Sequence, residues 1–289
     1  MYFRTFYGVP ESVTAPDGTP VGAARGFFDA VARLVGEYQP THLVAAFDAD
    51  WRPAFRVELI PSYKAHRVAE SGLEEEVPDL LSPQVPIIEQ VLDAVGLARV
   101  GVAGFEADDV LATLSAQATT AVDVVTGDRD LFQLVEDARD IRVLYTGRGF
   151  AKLEVMNEAA VQAKYDVPAK YYADFAVLRG DPSDGLPGVR GVGDKSAAAL
   201  VNQFGSVEDV LAALDDPSAD LPHRGKLANA REYLDVAPAV VRCRKDVPIP
   251  PLQSELPAEI ADPDALDWLG DRWGLQRSIE RLLATLNLN

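Results

Sequence analysis

Four short segments of this sequence each carry two or three closely spaced carboxylates. The segments read FDAD, GFEADD, TGDRD and RGDPSD, and the acids of interest in them are Asp48, Glu106, Asp108, Asp109, Asp128, Asp130, Asp181 and Asp184. Like charges about 4 Å apart repel by several kcal/mol at an intermediate dielectric, so such groups converge only where cations neutralise them. Divalent cations such as Mg²⁺ prefer oxygen ligands. If the four segments meet in space, they predict a site for divalent cations.

Each segment taken alone has a simpler explanation. The first turn of a helix tolerates one or two acids, because its free N–H groups and its dipole favour negative charge. An apolar-periodic helix follows EADD within residues 104–117, so these acids could serve only the helix start, and Asp48 could be a turn residue. The metal-site interpretation therefore depends on all four segments together.

The expected secondary structure places these acids at the edge of a sheet. Residues 41–50 and 121–130 each read as a buried strand ending in aspartates, and residues 141–146 and 151–155 read as two further strands. Ligands gather at the carboxyl ends of the strands in open parallel sheets. Alternating strands and helices predict a mixed α/β sheet, and the chain becomes helical after Tyr165.

Bulk composition excludes several other classes of protein. The 289 residues are 48% hydrophobic and carry a formal net charge of −18, which argues against non-specific coating of nucleic acid through a global positive field. The single cysteine, Cys243, allows no intrachain disulfide, and no window approaches 18 uninterrupted apolar residues. We therefore expect a globular cytoplasmic protein without a membrane span.

A basic segment, residues 51–83, interrupts this acidic chain. Its first half contains Arg52, Arg56, Lys64, His66 and Arg67 among the aromatic residues Trp51, Phe55 and Tyr63. Basic groups of this kind grip phosphates while aromatic rings meet bases. The alternative, a solvated loop, is equally compatible with composition alone.

A glycine-rich turn, residues 188–193, follows the RGDPSD acids. It contains Gly188, Arg190, Gly191 and Gly193, and Lys195 lies in the first turn of the helix that follows. Glycine lets a backbone approach a phosphate closely, and the free N–H groups of a helix start can bind an anion. Contacts of that kind position DNA without reading its sequence. A lone glycine turn is more often a plain connection, but two aspartates just upstream strengthen the functional interpretation.

Together these motifs resemble the bacterial 5′ to 3′ exonuclease and flap endonuclease family, in its stand-alone form. The resemblance rests on GFEADDVLA, TGDRDLFQL, RGDPSDGLPGVRGVGDKSA and SYKAHR, and it runs in family order along the chain. It implies a PIN-like, mixed and mostly parallel sheet flanked by helices, with a helical arch and a C-terminal helix-three-turn-helix region. The implied division is a nuclease core at 1–165, including the arch at 52–83, and a helical DNA-binding region at 166–289, with the helix-three-turn-helix near 179–205.

The resemblance also implies two or three Mg²⁺ or Mn²⁺ ions. Asp48, Glu106, Asp108 and Asp109 match the first site, and Asp128, Asp130, Asp181 and Asp184 match the second. Lys64 and Arg67 match phosphate-contacting residues near the scissile bond, with support from Arg4 and Arg56, and Tyr63 matches a base-stacking position. The implied DNA-binding residues are Arg52, Arg56, Tyr63, Gly188, Arg190, Gly191, Gly193 and Lys195. The turn at 188–193 matches an element that binds K⁺ in relatives.

The expected substrate is DNA with a 5′ flap or a free 5′ end. The expected enzyme is a monomer that works alongside a DNA polymerase and a ligase in primer removal and repair. One departure from the family is that its usual first strand, ending in Asp-Gly, has no counterpart here, and Met1 resembles an internal position. We therefore expect a native start further upstream and an interrupted sheet.

Two alternatives remain open from the residues. A PIN-type ribonuclease shares the acidic α/β site but is expected to lack the glycine turn and the basic segment. A non-catalytic DNA-binding module could retain the acids for structure alone, and the absent Asp-Gly strand gives that alternative some weight. Cleavage that requires a metal ion separates an enzyme from this second alternative.

Overall fold

The computed structural model describes residues 2–9, 12–68 and 80–288, without the side chains of residues 2–4. Its α-helices are α1 (Tyr2–Gly8), α2 (Gly22–Tyr38), α3 (Ala54–Leu59), α4 (Val85–Val95), α5 (Ala107–Gln117), α6 (Glu158–Tyr165), α7 (Tyr172–Arg179), α8 (Asp194–Phe204), α9 (Val207–Asp215), α10 (Arg224–Asn229), α11 (Arg231–Val241), α12 (Pro263–Trp273) and α13 (Gln276–Leu286). Its strands are β1 (Val44–Ala46), β2 (Ala98–Val100), β3 (Val122–Thr126), β4 (Ile141–Tyr145) and β5 (Glu154–Met156).

The described strands form two small sheets. Parallel strands β1 and β2 make one, with Ala45 opposite Arg99. In the other, β3 runs parallel to β4, and β4 runs antiparallel to β5. The predicted mixed and mostly parallel α/β arrangement is confirmed, and in the described residues its strands are divided between two sheets.

Helix α5 links the two sheets, because it packs against both β1 and β3. Its start is fixed by a capping box, in which Glu106 is the N-cap and Asp109 is the third helical residue. The helix ends where Ala118 adopts an extended conformation. The predicted helix within 104–117 is therefore present, and its first turn stands between the carboxyl ends of the two sheets.

The two larger apolar cores are built from different helices and strands. One is built from α2, α4, α12 and α13, around Phe28, Ile88, Leu92 and Leu282. The other joins β3 and β4 to the helices between α7 and α11, around Phe132 and Tyr172. Amphipathic helices bury their apolar faces in this way because apolar area leaves water.

The fold departs from the sequence expectations in two places. Strand β2 lies in a stretch whose three residues carry too little periodicity to predict a strand. Helices α12 and α13 pack on α4 and α2, so the end of the region assigned to 166–289 shares its core with the first part of the chain. Within the residues described here, none of the helices has the length and apolarity needed to cross a bilayer.

The docking of α13 on α2 gives a stability prediction. Leu282 is 0% exposed, so Leu282→Ala should lower the free energy of unfolding by about 2–5 kcal/mol through lost burial and a cavity. Urea denaturation measures this loss. Glu280→Ala, at an exposed position on the same helix, should stay within about 0.5 kcal/mol of the parent. If both variants lower the free energy of unfolding by the same small amount, the packing of α13 on α2 is contradicted.

Candidate functional site

The first turn of α5 gathers acids from three of the four predicted segments. Asp48 follows β1, and its Oδ1 accepts a hydrogen bond from Ala107 N at 2.8 Å. Glu106 caps the helix, and Asp108 lies within its first turn. Asp128 follows β3, and its charge contributes to the raised pKa of Asp108. The carboxyl ends of the two sheets therefore meet at this helix start.

Four carboxylates line one small cavity beside this turn. The cavity has a volume of about 20 Å³, and its acidic lining residues are Glu106, Asp108, Asp130 and Asp184. A space of that size holds about one water or ion. Asp130 Oδ1 is buried with no hydrogen-bond partner in the described part of the protein. Buried polar atoms are nearly always partnered, so this oxygen indicates a missing donor or cation.

Burial and mutual repulsion make these acids hard to ionise. Burial, reinforced by the charges of Asp128 and Glu106, raises the pKa of Asp108 well above its usual value of 3.8. Burial and the charges of Asp128 and Asp184 likewise raise the pKa of Asp130. Both shifts express the cost of placing like charges together away from water.

The basic segment supplies cations to this cluster. Lys64 Nζ donates to Glu106 Oε2 at 2.9 Å, and Arg67 Nη2 donates to Asp184 Oδ1 at 2.7 Å. Although burial alone lowers it, the charges of Glu106 and Asp184 raise the pKa of Lys64. Two predicted phosphate-contacting residues thus reach the predicted metal ligands.

The backbone at Lys64 is held in an unusual conformation. Its φ is 49°, in the left-handed region that L-residues other than glycine seldom adopt. Lys64 N donates to Asp184 O at 2.9 Å, and Ser62 Oγ donates to Gly185 O at 2.8 Å. These contacts dock the basic segment on the loop that contains Asp184, and such imposed conformations cluster at functional sites.

Asp181 is paired with arginines that the sequence analysis did not select. Arg129 Nη2 donates to Asp181 Oδ2 at 2.9 Å, and Arg179 Nη2 is 3.4 Å from the same oxygen. The hydrogen bonds from Ser183 and Arg129 outweigh burial and lower the pKa of Asp181. The position of Arg129 between the two acids of TGDRD was a usable signal.

The donor set suits a divalent cation, although its groups are now engaged with side-chain cations. No three carboxylate, imidazole or thiolate groups in the described ranges already surround one point as metal ligands would. Lys64, Arg67 and Arg129 each hold a candidate ligand oxygen. All-oxygen donors and an unpartnered buried carboxylate oxygen nevertheless match Mg²⁺ or Mn²⁺. Binding an ion here requires these side chains to exchange partners.

Three predicted site residues are buried at the cavity: Arg56 and Tyr63 line it, and Asp109 lies behind Arg56. Arg56 is 2% exposed and pairs with Asp109, which is 0% exposed, so Arg56 does not reach solvent as a DNA contact must. Tyr63 is 4% exposed, and its hydroxyl donates to Glu106 Oε1 at 2.9 Å. Burial and the Glu106 charge raise the pKa of Tyr63. Its ring is covered, unlike the predicted stacking surface.

The remaining predictions fall in two groups. Arg52 donates from Nε to Tyr63 O at 2.6 Å, and so holds the basic segment closed on itself. The side chain of Arg4 and residues 69–79 of the predicted arch lie outside the described residues. The described first part of the predicted arch contains α3 and a turn of 3₁₀-helix at Ala65–Arg67, and its last residues enter a turn of 3₁₀-helix at Ser82–Gln84.

The glycine turn at 188–193 leads into α8. Gly188 has a φ of 63°, and a Cβ there would lie 2.4 Å from Gly180 N, so only glycine fits this close crossing. Arg190 and Lys195 are exposed on either side of Gly193. The carbonyl of Gly191 accepts a hydrogen bond from Lys226 Nζ at 2.7 Å. That ammonium, which the sequence analysis did not select, occupies one carbonyl of the turn that was predicted to bind K⁺.

Family models and known proteins match nearly the whole chain. A family model described as "5'-3' exonuclease, N-terminal resolvase-like domain" matches residues 1–166, and one described as "5'-3' exonuclease, C-terminal SAM fold" matches residues 167–264. The chain is 59% identical to a 5′–3′ exonuclease of Streptomyces coelicolor, over 99% of this chain and 97% of that protein. It is 48% identical to a 5′–3′ exonuclease of Mycobacterium tuberculosis, over 99% and 95%.

Longer relatives and solved structures extend the comparison. DNA polymerase I of Mycobacterium bovis is 38% identical over 98% of this chain, which spans 30% of that protein. T5 5′-exonuclease with bound divalent metal ions (zinc) matches with a TM-score of 0.60 and 18% identity over 91% of each chain. The catalytic core of Rad2 in complex with a DNA substrate matches with a TM-score of 0.61 and 18% identity, over 98% of this chain and 89% of that one. At 18% identity, these two structural matches show that the fold is shared.

An α/β layer with acids at its strand ends, followed by a SAM-like helical region, is the two-part architecture of a 5′–3′ exonuclease. The chain belongs to the 5′–3′ exonuclease family.

The raised pKa values of Asp108 and Asp130 predict how stability responds to pH in a chelator. Because the folded state holds these protons more tightly than the unfolded state, these two groups contribute a decline in the free energy of unfolding as pH rises from about 4 towards 7. Asp108→Asn/Asp130→Asn should flatten this decline, as urea denaturation at several pH values would measure.

The matched control for charge is Asp264→Asn/Asp267→Asn, at exposed positions on α12. It removes the same two charges from outside the cavity, so it should keep most of the parent's decline. Identical pH profiles for the two double variants would contradict the assignment of the decline to the cavity.

Proposed function

We propose that this chain is a metal-dependent nuclease that hydrolyses phosphodiester bonds at 5′ flaps and free 5′ ends of DNA. The observation that carries the proposal is the small cavity lined by four carboxylates, with an unpartnered oxygen of Asp130 inside it. A buried acceptor without a partner, beside three other carboxylates, is a group that a bound cation would satisfy. The family membership supports the reaction class, and the flap substrate is the finer part of the proposal.

The proposed metal ligands are the acids that converge at the sheet edge. They are Asp48, Glu106 and Asp108 for one site, and Asp128, Asp130, Asp181 and Asp184 for the other. Two or three Mg²⁺ or Mn²⁺ ions held there would lower the pKa of a bound water and stabilise charge on the attacking and leaving oxygens. The bound divalent ions in the T5 exonuclease structure support this part of the proposal.

Lys64 and Arg67 orient the phosphate in this proposal. Both side chains now neutralise candidate ligands, Glu106 and Asp184. When those carboxylates take other cations, the same donors become available to a phosphate within a side chain's reach, as charge-assisted hydrogen bonds. Tyr63 keeps Glu106 oriented through its hydroxyl rather than stacking on a base. Arg4 remains a predicted supporting contact.

The glycine turn and α8 bind the duplex backbone. Among the side chains that the structure describes, none caps the N-terminus of α8, whose N-cap is Gly193, so its first N–H groups are available to a phosphate. Arg190 and Lys195 flank this helix start and are exposed. Contacts of this kind hold DNA in register without reading bases, which suits a nuclease that selects structure rather than sequence.

The proposal extends to the domain division, the oligomeric state and the partner enzymes. We assign the nuclease core to 1–165 and a helical DNA-binding region to the chain from 166, a division supported by family models that meet between residues 166 and 167. Helices α12 and α13, at the end of the region predicted as 166–289, pack on the core of the first part. The enzyme acts as a cytoplasmic monomer, alongside a DNA polymerase and a ligase. Similarity to 30% of the length of a DNA polymerase I supports the link to a polymerase, and a single cysteine suits a reducing compartment.

Cleavage of a 5′-labelled flap duplex tests this function directly. We expect flap release with Mg²⁺ or Mn²⁺ and none with a chelator. Asp130→Asn should reduce the rate by more than the roughly 10–100-fold typical of outer-shell changes, whereas Asp264→Asn should cleave like the parent. Cleavage of single-stranded RNA instead would favour a PIN-type ribonuclease, and binding without cleavage would favour a DNA-binding module.

The Lys226 contact predicts that duplex binding does not depend on K⁺. Because the Lys226 ammonium already occupies the Gly191 carbonyl, the dissociation constant in KCl should equal that in tetramethylammonium chloride at the same ionic strength. Fluorescence anisotropy in a chelator measures both. Lys226→Met should weaken binding and regain it selectively in KCl. Tighter binding of the parent chain in KCl would contradict the prediction.

A further inference from the structure

A buried ion pair beside the acidic cavity joins separate parts of the chain. Arg56 on α3 and Asp109 on α5 are 2% and 0% exposed. Arg56 Nη1 donates to Asp109 Oδ2 at 2.7 Å, and Nη2 donates to Oδ1 at 2.6 Å. A bidentate, desolvated contact of this kind combines charge with a fixed geometry.

The Asp109 carboxylate also accepts two backbone N–H groups. Arg244 N donates to Oδ1 at 2.8 Å, and Glu106 N donates to Oδ2 at 3.3 Å. An ionised carboxylate offers about four lone-pair sites. Four donors therefore use the acceptor capacity of Asp109 and leave nothing for a metal ion.

Arg56 is equally committed. Its Nε donates to Val240 O at 2.9 Å near the end of α11, and its guanidinium lies 4.8 Å from the centre of the Phe55 ring. Turning Arg56 outwards towards DNA would leave the Asp109 charge buried and unpaired, which is strongly unfavourable. The pair thus ties α3, α5 and the chain after α11 into one joint.

This joint sets the rotation of α5. Adjacent residues on an α-helix project about 100° apart. With Asp109 held inwards by Arg56, the neighbouring Asp108 faces the cavity. Asp109 also completes the capping box that holds Glu106 at the helix start. Two cavity-lining carboxylates therefore take their positions from a residue that does not line the cavity.

We propose that Arg56 and Asp109 are positioning residues: they fix the first turn of α5 so that Glu106 and Asp108 face the metal site, and they contact neither metal nor DNA. This inference rests on the proposed function of the cavity. It removes Asp109 from the ligand set, and Arg56 from the DNA contacts, that the family resemblance implies.

Calorimetric titration with Mn²⁺, without DNA, tests the assignment on the full chain. The variants are Arg56→Gln, Asp109→Asn and the double variant, which retains a neutral amide pair in the same space. We expect each single variant to bind the native number of ions with affinity weakened by about 10–100-fold. The double variant should be no weaker than the single variants, because the two residues act as one unit.

Two controls separate positioning from ligation and from general destabilisation. Asp108→Asn removes a proposed ligand and should lower the number of ions bound. Arg242→Gln/Asp174→Asn neutralises a second Arg–Asp pair, 2.6 Å from Nη2 to Oδ1, whose other partners are Glu208 and Val207. That control should keep native Mn²⁺ affinity even if it unfolds more easily.

The outcomes are distinct. If Asp109→Asn binds fewer ions than the parent while Arg56→Gln binds the native number, Asp109 is a ligand and the inference is overturned. If the parent chain binds no Mn²⁺, the proposed function fails, and amide exchange in a chelator still decides the inference. Arg56→Gln should accelerate hydrogen exchange at the Glu106 and Arg244 amides relative to the Arg242/Asp174 control. Unchanged exchange at these amides would overturn the positioning role of the Arg56–Asp109 pair.

Discussion

Repulsion among closely placed carboxylates is the constraint on which the rest of this structure depends. Burial and neighbouring charge raise the pKa values of Asp108 and Asp130, so ionising them is costly unless cations are close. The chain supplies some of those cations itself, through Lys64, Arg67 and Arg129. Without these ion pairs the carboxylates would have to hold protons or move apart. The acidic site is therefore compact because basic side chains from other segments enter it.

The fold meets this constraint by bringing distant segments to one helix start. Helix α5 packs on both sheets, and its first turn receives acids that follow β1 and β3. The basic segment docks on the loop of Asp184 through backbone contacts, which hold Lys64 in a left-handed conformation. Two apolar cores hold together the helices and strands of the fold. Stability far from the site, as at α13, thereby preserves the arrangement of the charges.

Under the proposed function, the same side chains have two partners. Lys64 and Arg67 neutralise carboxylates here, and they become phosphate donors when divalent ions take those carboxylates. Arg56 differs, because its partner Asp109 is saturated with hydrogen bonds and α5 depends on both. Basic residues within a few positions of one another thus divide into those that exchange partners and one that does not. The difference lies in burial and hydrogen-bond number rather than in residue type.

The sequence by itself identified the candidate acids, the strands that end at Asp48 and Asp128, and the family. These features can be recognised from sequence because they depend only on residue types and their spacing along the chain. Strand periodicity placed Asp48 and Asp128 at the ends of two strands, and helical periodicity placed Glu106, Asp108 and Asp109 at the start of a helix. Only the tertiary structure decided which charged groups face each other: Asp109 turns to Arg56, Asp181 meets Arg129, and α12 and α13 join the first core. Such pairings link residues tens to hundreds of positions apart, and side-chain direction there depends on packing that local periodicity does not encode.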